Sequence, residues 1–388
     1  VNGAILMTRL AIFCDGTWNS NDRPGFETNV YRLFDAVKDG AVAPDGVVQR
    51  SHYEKGVGTA DGKKGFAKLV DRVAGGALGW GLTRNIEDCY RWLIETYAPG
   101  DEIYIFGFSR GAYTARSLAG MIRSGGIPRS VDSIPHVVSW YKDRSKITEP
   151  STDRSAEFRW SVSPDVVTGD EEVEWRKKNG KPAGHRLYIE YQGIWDTVGA
   201  LGVPGILGPF SKLLNTRYRF HDHRLSRSTK AGRHAISVDE DRKMYKPTLW
   251  ENLPSLNKKA TGTPYQQVWF PGDHGVVGGS GKKRGLSNHT LKWIADGAVD
   301  VGLYVDQAAL AKSGAPDFQD ALSNRNRINF PLLNGPRGPI TDQSVLADAT
   351  LDRLAFGDAS GRKYEPKPLK SLKTKLAGIL GERRNPIV

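Results

Sequence analysis

The sequence predicts an α/β fold with a mostly parallel central sheet flanked by helices, and three observations predict it. First, short apolar runs end in turn-forming residues, as buried parallel strands do: residues 10–13 run into Asp15-Gly16-Thr17, residues 102–106 into Gly107, and residues 267–270 into Pro271-Gly272. Second, helical spacing fills the intervals; Ile86, Cys89, Tyr90, Leu93, Ile94 and Tyr97 share a face over residues 84–97 until Pro99-Gly100-Asp101 stops it. Third, the chemically loaded residues follow strands directly, where the carboxyl edge of a parallel sheet receives its ligands.

Further elements follow in order. Residues 112–121 read as a helix, 187–191 as a strand before Trp195-Asp196-Thr197-Val198-Gly199, and 291–301 as a helix. From about 130 to 185, charges, Ser, Pro and Trp mix without period, which reads as a cap-like insertion. The expected organisation is therefore one domain over residues 8–305 carrying that insertion, then a helical extension over 306–388. In residues 367–384, Leu369, Leu372, Leu376, Ile379 and Leu380 form an apolar stripe set among Lys370, Lys373, Lys375, Arg383 and Arg384. Such a basic amphipathic helix either packs its stripe on the core or docks on a membrane surface or a partner.

Composition bounds the rest. A chain of 388 residues with ten Trp and thirteen Phe can build a large core. No apolar run approaches a transmembrane span, and the start lacks the charged-then-apolar order of a secretory signal; Met7 is a candidate start residue. Two cysteines, Cys14 and Cys89, make no disulfide framework, so synthesis in the cytoplasm is expected. The net charge of +12 favours polyanions, either an anionic membrane or nucleic acid. No nucleic-acid motif of recognisable spacing accompanies the charge, so nucleic acid is not an expected partner.

Gly107-Phe108-Ser109-Arg110-Gly111 sits between a strand and a helix. That setting is a nucleophile elbow, in which small flanking residues allow a strained turn to expose the serine, and it points to an α/β-hydrolase fold. Ser109 is the candidate nucleophile. The N–H of Arg110, at a helix start, is one candidate oxyanion donor, and Gly16 or Thr17 the second. Serine needs a base and the base an orienting carboxylate, in the chain order Ser, Asp, His. Asp196 and His274 follow strand-like runs in that order. Asp273 is a weaker choice of acid, because adjacent loop residues seldom face each other. His221 and His223 have metal-pair spacing without a second ligand cluster, so no metal is expected. His234 is expected in a helix, His289 in a polar stretch; His52, His136 and His185 have no supporting context.

Several ordered segments carry a resemblance. They are Phe13-Cys14-Asp15-Gly16-Thr17-Trp18-Asn19, Gly107 through Arg116, Trp195-Asp196-Thr197-Val198-Gly199-Ala200, Asp239-Glu240-Asp241-Arg242 with Pro247 and Trp250, and Val268 through His274. Together, over roughly residues 10–292, they resemble the Tle-type lipase effectors of the type VI secretion system, phospholipases with this elbow. The resemblance implies hydrolysis of phospholipid acyl esters in the A1 or A2 sense, with no cofactor. It assigns Ser109 as nucleophile, Asp196 as acid and His274 as base, with Asp15 beside the site. It also implies secretion-apparatus and immunity-protein partners, and delivery from the producing cell's cytoplasm to a target periplasm. Where the family commonly continues Ser-Asp-Val-Gly-Gly after its histidine, this chain has Gly275-Val276-Val277-Gly278-Gly279. The alternatives are a soluble carboxylesterase on small esters, or a non-catalytic hydrolase-fold protein that binds anionic membrane or nucleic acid.

Overall fold

Strand alternation divides the core into two layers, one on each side of a sheet. The computed structural model describes residues 7–16, 25–56, 77–143, 145–199, 223–324 and 334–385. In β1 (Thr8–Cys14), Leu10, Ile12 and Cys14 enter one apolar cluster, while Ala11 and Phe13 enter the other. Two buried faces are the mark of a parallel sheet covered by helices on both sides. The first cluster lies under α2 (Ala77–Thr96) and α3 (Arg110–Gly125), which follow α1 (Asn29–Val37) and β2 (Val48–Glu54). The second lies under α1 and the later helix Gly285–Val299.

Between β2 and α3 comes β3 (Glu102–Phe108), and after α3 come α4 (Ile134–Lys142), α5 (Asp153–Val162), α6 (Asp170–Lys178) and a two-residue ladder of β4 (Val166–Val167) with β5 (His185–Arg186). The main sheet is completed by β6 (Ile189–Trp195), β7 (Thr229–Ser237) and β8 (Tyr265–Phe270). Its order is β2-β1-β3-β6-β7-β8 with every pairing parallel. The chain steps outward from β1 to β2, then returns to β3 on the other side of β1. The winding reverses between β1 and β3, and a crevice opens at their carboxyl ends. This is the α/β-hydrolase arrangement, with Cys14 and Gly107 as register partners at that edge.

Two strands of the main sheet are not among those the sequence predicts, because neither carries an apolar run. β2 is an edge strand that reads Val-Gln-Arg-Ser-His-Tyr-Glu, and β7 alternates through Ala, Gly and His. His234, expected in a helix, is a buried residue of β7. Small residues there hide the period of two, so the sequence offered no contrast to read.

Segment 130–185 meets α3 at its C-terminal half. Tyr141 lies against Gly120 and Val137 against Gly125, Ser163 Oγ donates to the Gly125 carbonyl at 2.6 Å, and Thr168 Oγ1 to that of Arg123 at 3.0 Å. These contacts buttress the end of α3 remote from Ser109. Inside the segment, buried Glu172 accepts from Arg159 at 2.5 Å and Arg176 at 2.7 Å.

The C-terminal residues pack on the sheet's far edge. After α7 (Gly285–Val299) and α8 (Asp348–Phe356), a 3-10 turn Lys367–Leu372 leads into α9 (Lys373–Arg384). Leu369, Leu372 and Leu376 are buried in one cluster with Ile236, Trp269 and Leu346. The apolar stripe thus faces the protein, while Lys370, Lys373 and Lys375 are exposed. Arg383 pairs with Asp348 and Asp352 of α8. Among the described residues no helix is long and apolar enough to cross a membrane.

Glu172 offers a direct check on this packing. Glu172→Gln leaves two buried guanidinium groups without their carboxylate, and denaturant unfolding is expected to show a loss of about 3–5 kcal/mol.

Candidate functional site

At the end of β3 the backbone turns sharply into α3. Ser109 adopts φ 58° and ψ −119°, a region that costs a non-glycine residue energy unless its surroundings enforce it. Its N–H donates to the Trp195 carbonyl at 3.0 Å, and its own carbonyl accepts from Val198 N–H at 3.5 Å. The turn also requires bare backbone. A Cβ on Gly107 would overlap the Gly111 carbonyl, and one on Gly111 would overlap the carbonyls of Cys14 and Asp15. The strand end carrying Asp15 therefore packs directly against the first turn of α3.

Three sheet strands converge here. Asp196 follows β6, and His274 lies beyond β8 as the first residue of a one-turn helix, His274–Val277. His274 Nε2 stands 2.8 Å from Ser109 Oγ, and His274 Nδ1 stands 2.6 Å from Asp196 Oδ2. All three residues are buried. The imidazole is held between the rings of Phe108 and Tyr245, each with its centroid 4.7 Å away. A hydrogen-bonded chain of hydroxyl, imidazole and carboxylate can draw the proton from the serine and stabilise the resulting imidazolium.

Asp196 is the most heavily bonded member. Its Oδ1 accepts from Ser237 N–H at 2.9 Å and from Arg337 Nη1 at 2.6 Å, and its Oδ2 also accepts from Arg337 Nη2 at 2.7 Å. Burial by itself would raise the carboxyl. The Arg337 charge, with hydrogen bonds from His274 and Arg337, outweighs burial and holds the group well below the ordinary carboxylate range. Sequence reasoning missed Arg337. The available signal was Gly335-Pro336-Arg337-Gly338-Pro339, a stiff loop built around one charge.

Glu240, from the segment after β7, accepts His274 N–H at 3.2 Å and is clasped by Arg242 through two contacts of 2.7 Å. Arg242 also covers the Tyr245 ring at 3.8 Å. Asp239 accepts from Gly272 N–H at 2.7 Å and from the Tyr364 hydroxyl at 2.7 Å. The Asp-Glu-Asp-Arg motif thereby shapes the histidine loop. Asp273 caps the helix, accepting from Val276 N–H at 3.0 Å, and takes the Ser323 hydroxyl at 2.6 Å; Asp196 is the carboxylate on the imidazole. Val276, which stands where the resemblance leads one to expect an acid, is 1% exposed and lies against Gly272.

The oxyanion candidates separate. Arg110 opens α3, so its N–H has no acceptor within the helix. Gly16 N–H, by contrast, is engaged with Asp15 Oδ1 at 2.6 Å, so as positioned it is not available to an oxyanion. Asp15 Oδ2 accepts from the hydroxyls of Thr28 at 2.7 Å and Tyr53 at 2.5 Å, and this network ties the β1 loop to α1 and β2. Thr17 and His221 lie outside the described residues. His223 is exposed and stands 3.6 Å from Glu251.

Among the described residues one set has metal-ligand composition: His52, Glu54 and Cys89 bring donor atoms within 4.8 Å of one another. Cys14 Sγ lies 3.8 Å from Cys89 Sγ, a proximity of two unbonded thiols that sequence spacing did not reveal. Against the opposing effect of burial, Cys89 and Glu54 push the His52 imidazole up to about 9. The His52 ring stacks on Trp92, and its Nε2 stands 3.5 Å from a Glu54 carboxylate oxygen.

Comparison with known proteins gives one extended match. Residues 8–297 match the family described as the type VI secretion phospholipase effector Tle1-like catalytic domain. An uncharacterised Saccharomyces cerevisiae protein, YEL023C, is 26% identical over 266 residues, which are 64% of this chain and 33% of that protein. Two solved structures show weaker likeness. An uncharacterised Pseudomonas aeruginosa protein is 18% identical with a TM-score of 0.41, covering 77% of this chain and 46% of that one. The Tle1 effector bound to the VgrG spike is 16% identical with a TM-score of 0.33, covering 71% and 51%. The chain thus spans about a third of the yeast relative and about half of each structure.

A neighbouring histidine gives the site region a pH limit. His234 Nε2 accepts Thr197 N–H at 3.3 Å, and burial, reinforced by the Arg116 charge, pushes its imidazole down to about 3. The unfolded chain binds this proton near the ordinary value of about 6.5, so stability is complete above that pH and falls as pH drops toward 3. Denaturant titrations between pH 6.5 and 4 are expected to show a slope of about 1.4 kcal/mol per pH unit from this group. His234→Asn should remove that contribution whatever its absolute stability.

Proposed function

The chain belongs to the Tle1-like phospholipase effector family of type VI secretion, and on that premise we propose that it hydrolyses acyl esters of membrane phospholipids with Ser109 as nucleophile. The observation that carries this reading is the buried hydrogen-bonded chain from Ser109 through His274 to Asp196, set at a strained strand-to-helix turn. Ser109 attacks the ester carbonyl as His274 takes its proton, and Asp196 holds the ring's tautomer and balances the imidazolium. Arg110 N–H and the positive end of α3 receive the oxyanion. With Gly16 N–H engaged, Thr17 is the remaining sequence candidate for the second donor. His274 then protonates the departing alkoxide, and water repeats the cycle to release the fatty acid.

Val276 is compatible with this chemistry. It is 1% exposed, while Glu240 supplies a carboxylate to the His274 backbone. The positive surface suits an anionic bilayer, at about 1 kcal/mol per well-placed Lys or Arg. Delivery by a type VI apparatus, an immunity partner and A1 or A2 selectivity belong to the same proposal.

On anionic vesicles of mixed-chain phospholipid, mass spectrometry is expected to detect fatty acid and lysolipid, and the released chain reports the position cleaved. Ser109→Ala should lower this release by roughly a thousandfold or more. Undiminished release would sink the assignment. Faster turnover of short p-nitrophenyl esters than of vesicles would favour a soluble carboxylesterase instead.

A further inference from the structure

We propose that Arg337 is a positioning residue for the ester hydrolysis proposed above, on which this inference rests: it locks the Asp196 carboxylate and the Tyr245 wall of the His274 pocket as one unit. Its side chain is 5% exposed. Besides its two bonds to Asp196, Nη1 donates to the Ser237 carbonyl and Nη2 to that of Tyr245, each at 2.8 Å. One planar guanidinium therefore joins the end of β7, the carboxylate after β6 and the backbone of the aromatic residue whose ring lies 4.7 Å from that of His274. Bidentate geometry fixes the plane of the carboxylate, and so the direction of its bond to His274 Nδ1. A lysine would supply the charge without that fork.

Arg337 comes from outside residues 8–297, the part matched by the family. The segment carrying it is stitched to the sheet. Ile340 N–H donates to the Pro368 carbonyl at 2.8 Å, Ala347 N–H to that of Trp269 at 3.0 Å, and Thr350 Oγ1 to the same Trp269 carbonyl at 2.8 Å. Tyr364 reaches Asp239, beside Glu240. The residues beyond the matched region are thus part of the catalytic unit.

The charge has a second consequence. A buried cation on the far side of Asp196 offsets the carboxylate's pull on a proton at His274. Among the described residues, the other titratable or charged groups around the pair include Ser109 after β3, His234 on β7, Glu240, Arg242 and Tyr245 after β7, Asp273 before His274, and Arg110 of α3, which lies near Tyr245. Among the described residues Arg337 alone forks onto the Asp196 carboxylate. Removing its charge makes the imidazolium easier to form, so the acid limb of the pH profile moves to higher pH.

The test uses the full chain and its Arg337→Gln and Arg337→Lys variants, with melting temperatures measured alongside. The His274 imidazole is titrated by NMR with histidine-selective 13C labelling, assigned with His274→Asn, and kcat/KM on an ester is followed against pH. In Arg337→Gln the imidazole midpoint and the acid limb should rise by about one unit, and each unit cuts the neutral base tenfold below the limb. In Arg337→Lys both should stay near wild type while kcat falls, because charge remains and geometry is lost. Two folded variants with wild-type midpoint and rate would overturn the proposal. So would equal loss of activity in both with unmoved midpoints, or unfolding of both, since either marks a merely structural arginine. If wild type shows no Ser109-dependent turnover but the NMR midpoint moves in Arg337→Gln alone, the hydrolase reading fails and the electrostatic coupling stands. Ser109-dependent turnover in wild type with unmoved midpoints in both variants overturns this proposal and leaves the hydrolase reading standing.

Discussion

A buried carboxylate that must stay ionised constrains this structure more than any other group. Asp196 is fully enclosed and would be unstable as an anion without donors. It therefore collects the His274 ring, the Ser237 N–H and both arms of Arg337. Each donor comes from a different part of the chain. To satisfy one charge, the ends of β6 and β7, the histidine loop and a segment from beyond residue 334 must all meet at one point. The carboxylate is thus an organiser of tertiary structure as well as the proposed acid.

The sheet supplies the rigid frame for that meeting. Winding reverses between β1 and β3, so the Asp15 loop and the Ser109 turn are neighbours at the carboxyl edge, packed closely enough that Gly111 tolerates no side chain. Two aromatic rings then bound the imidazole: Phe108 belongs to the elbow itself, and Tyr245 is held by Arg242 and by Arg337. Precision of this kind suits chemistry in which small displacements of a base are costly.

Much of the fold was legible because its signals are local. β1 and β3 are apolar runs closed by turn residues, and α2 and α3 show their period directly. β2 and β7 were not legible, since an edge strand and a strand of small residues lack the contrast that periodicity requires. The same limit misread His234 as helical. For the C-terminal stripe the sequence left two outcomes open, and packing against Ile236 and Trp269 answered between them. The buttressing position of segment 130–185 depended on which glycines of α3 were left bare, a property invisible without the neighbours.

By itself the sequence determined the strand-to-helix setting of Ser109, the chain order of Ser109, Asp196 and His274, and the family to which these motifs point. Those features are short-range: each is written in a few consecutive residues beside one strand. The tertiary structure decided which residues touch. It brought Arg337 onto Asp196 across 141 positions of chain and Glu240 onto the His274 backbone across 34. The physical reason is common to both. Hydrogen bonds and ion pairs depend on distance in space, and a sequence records distance only along the chain.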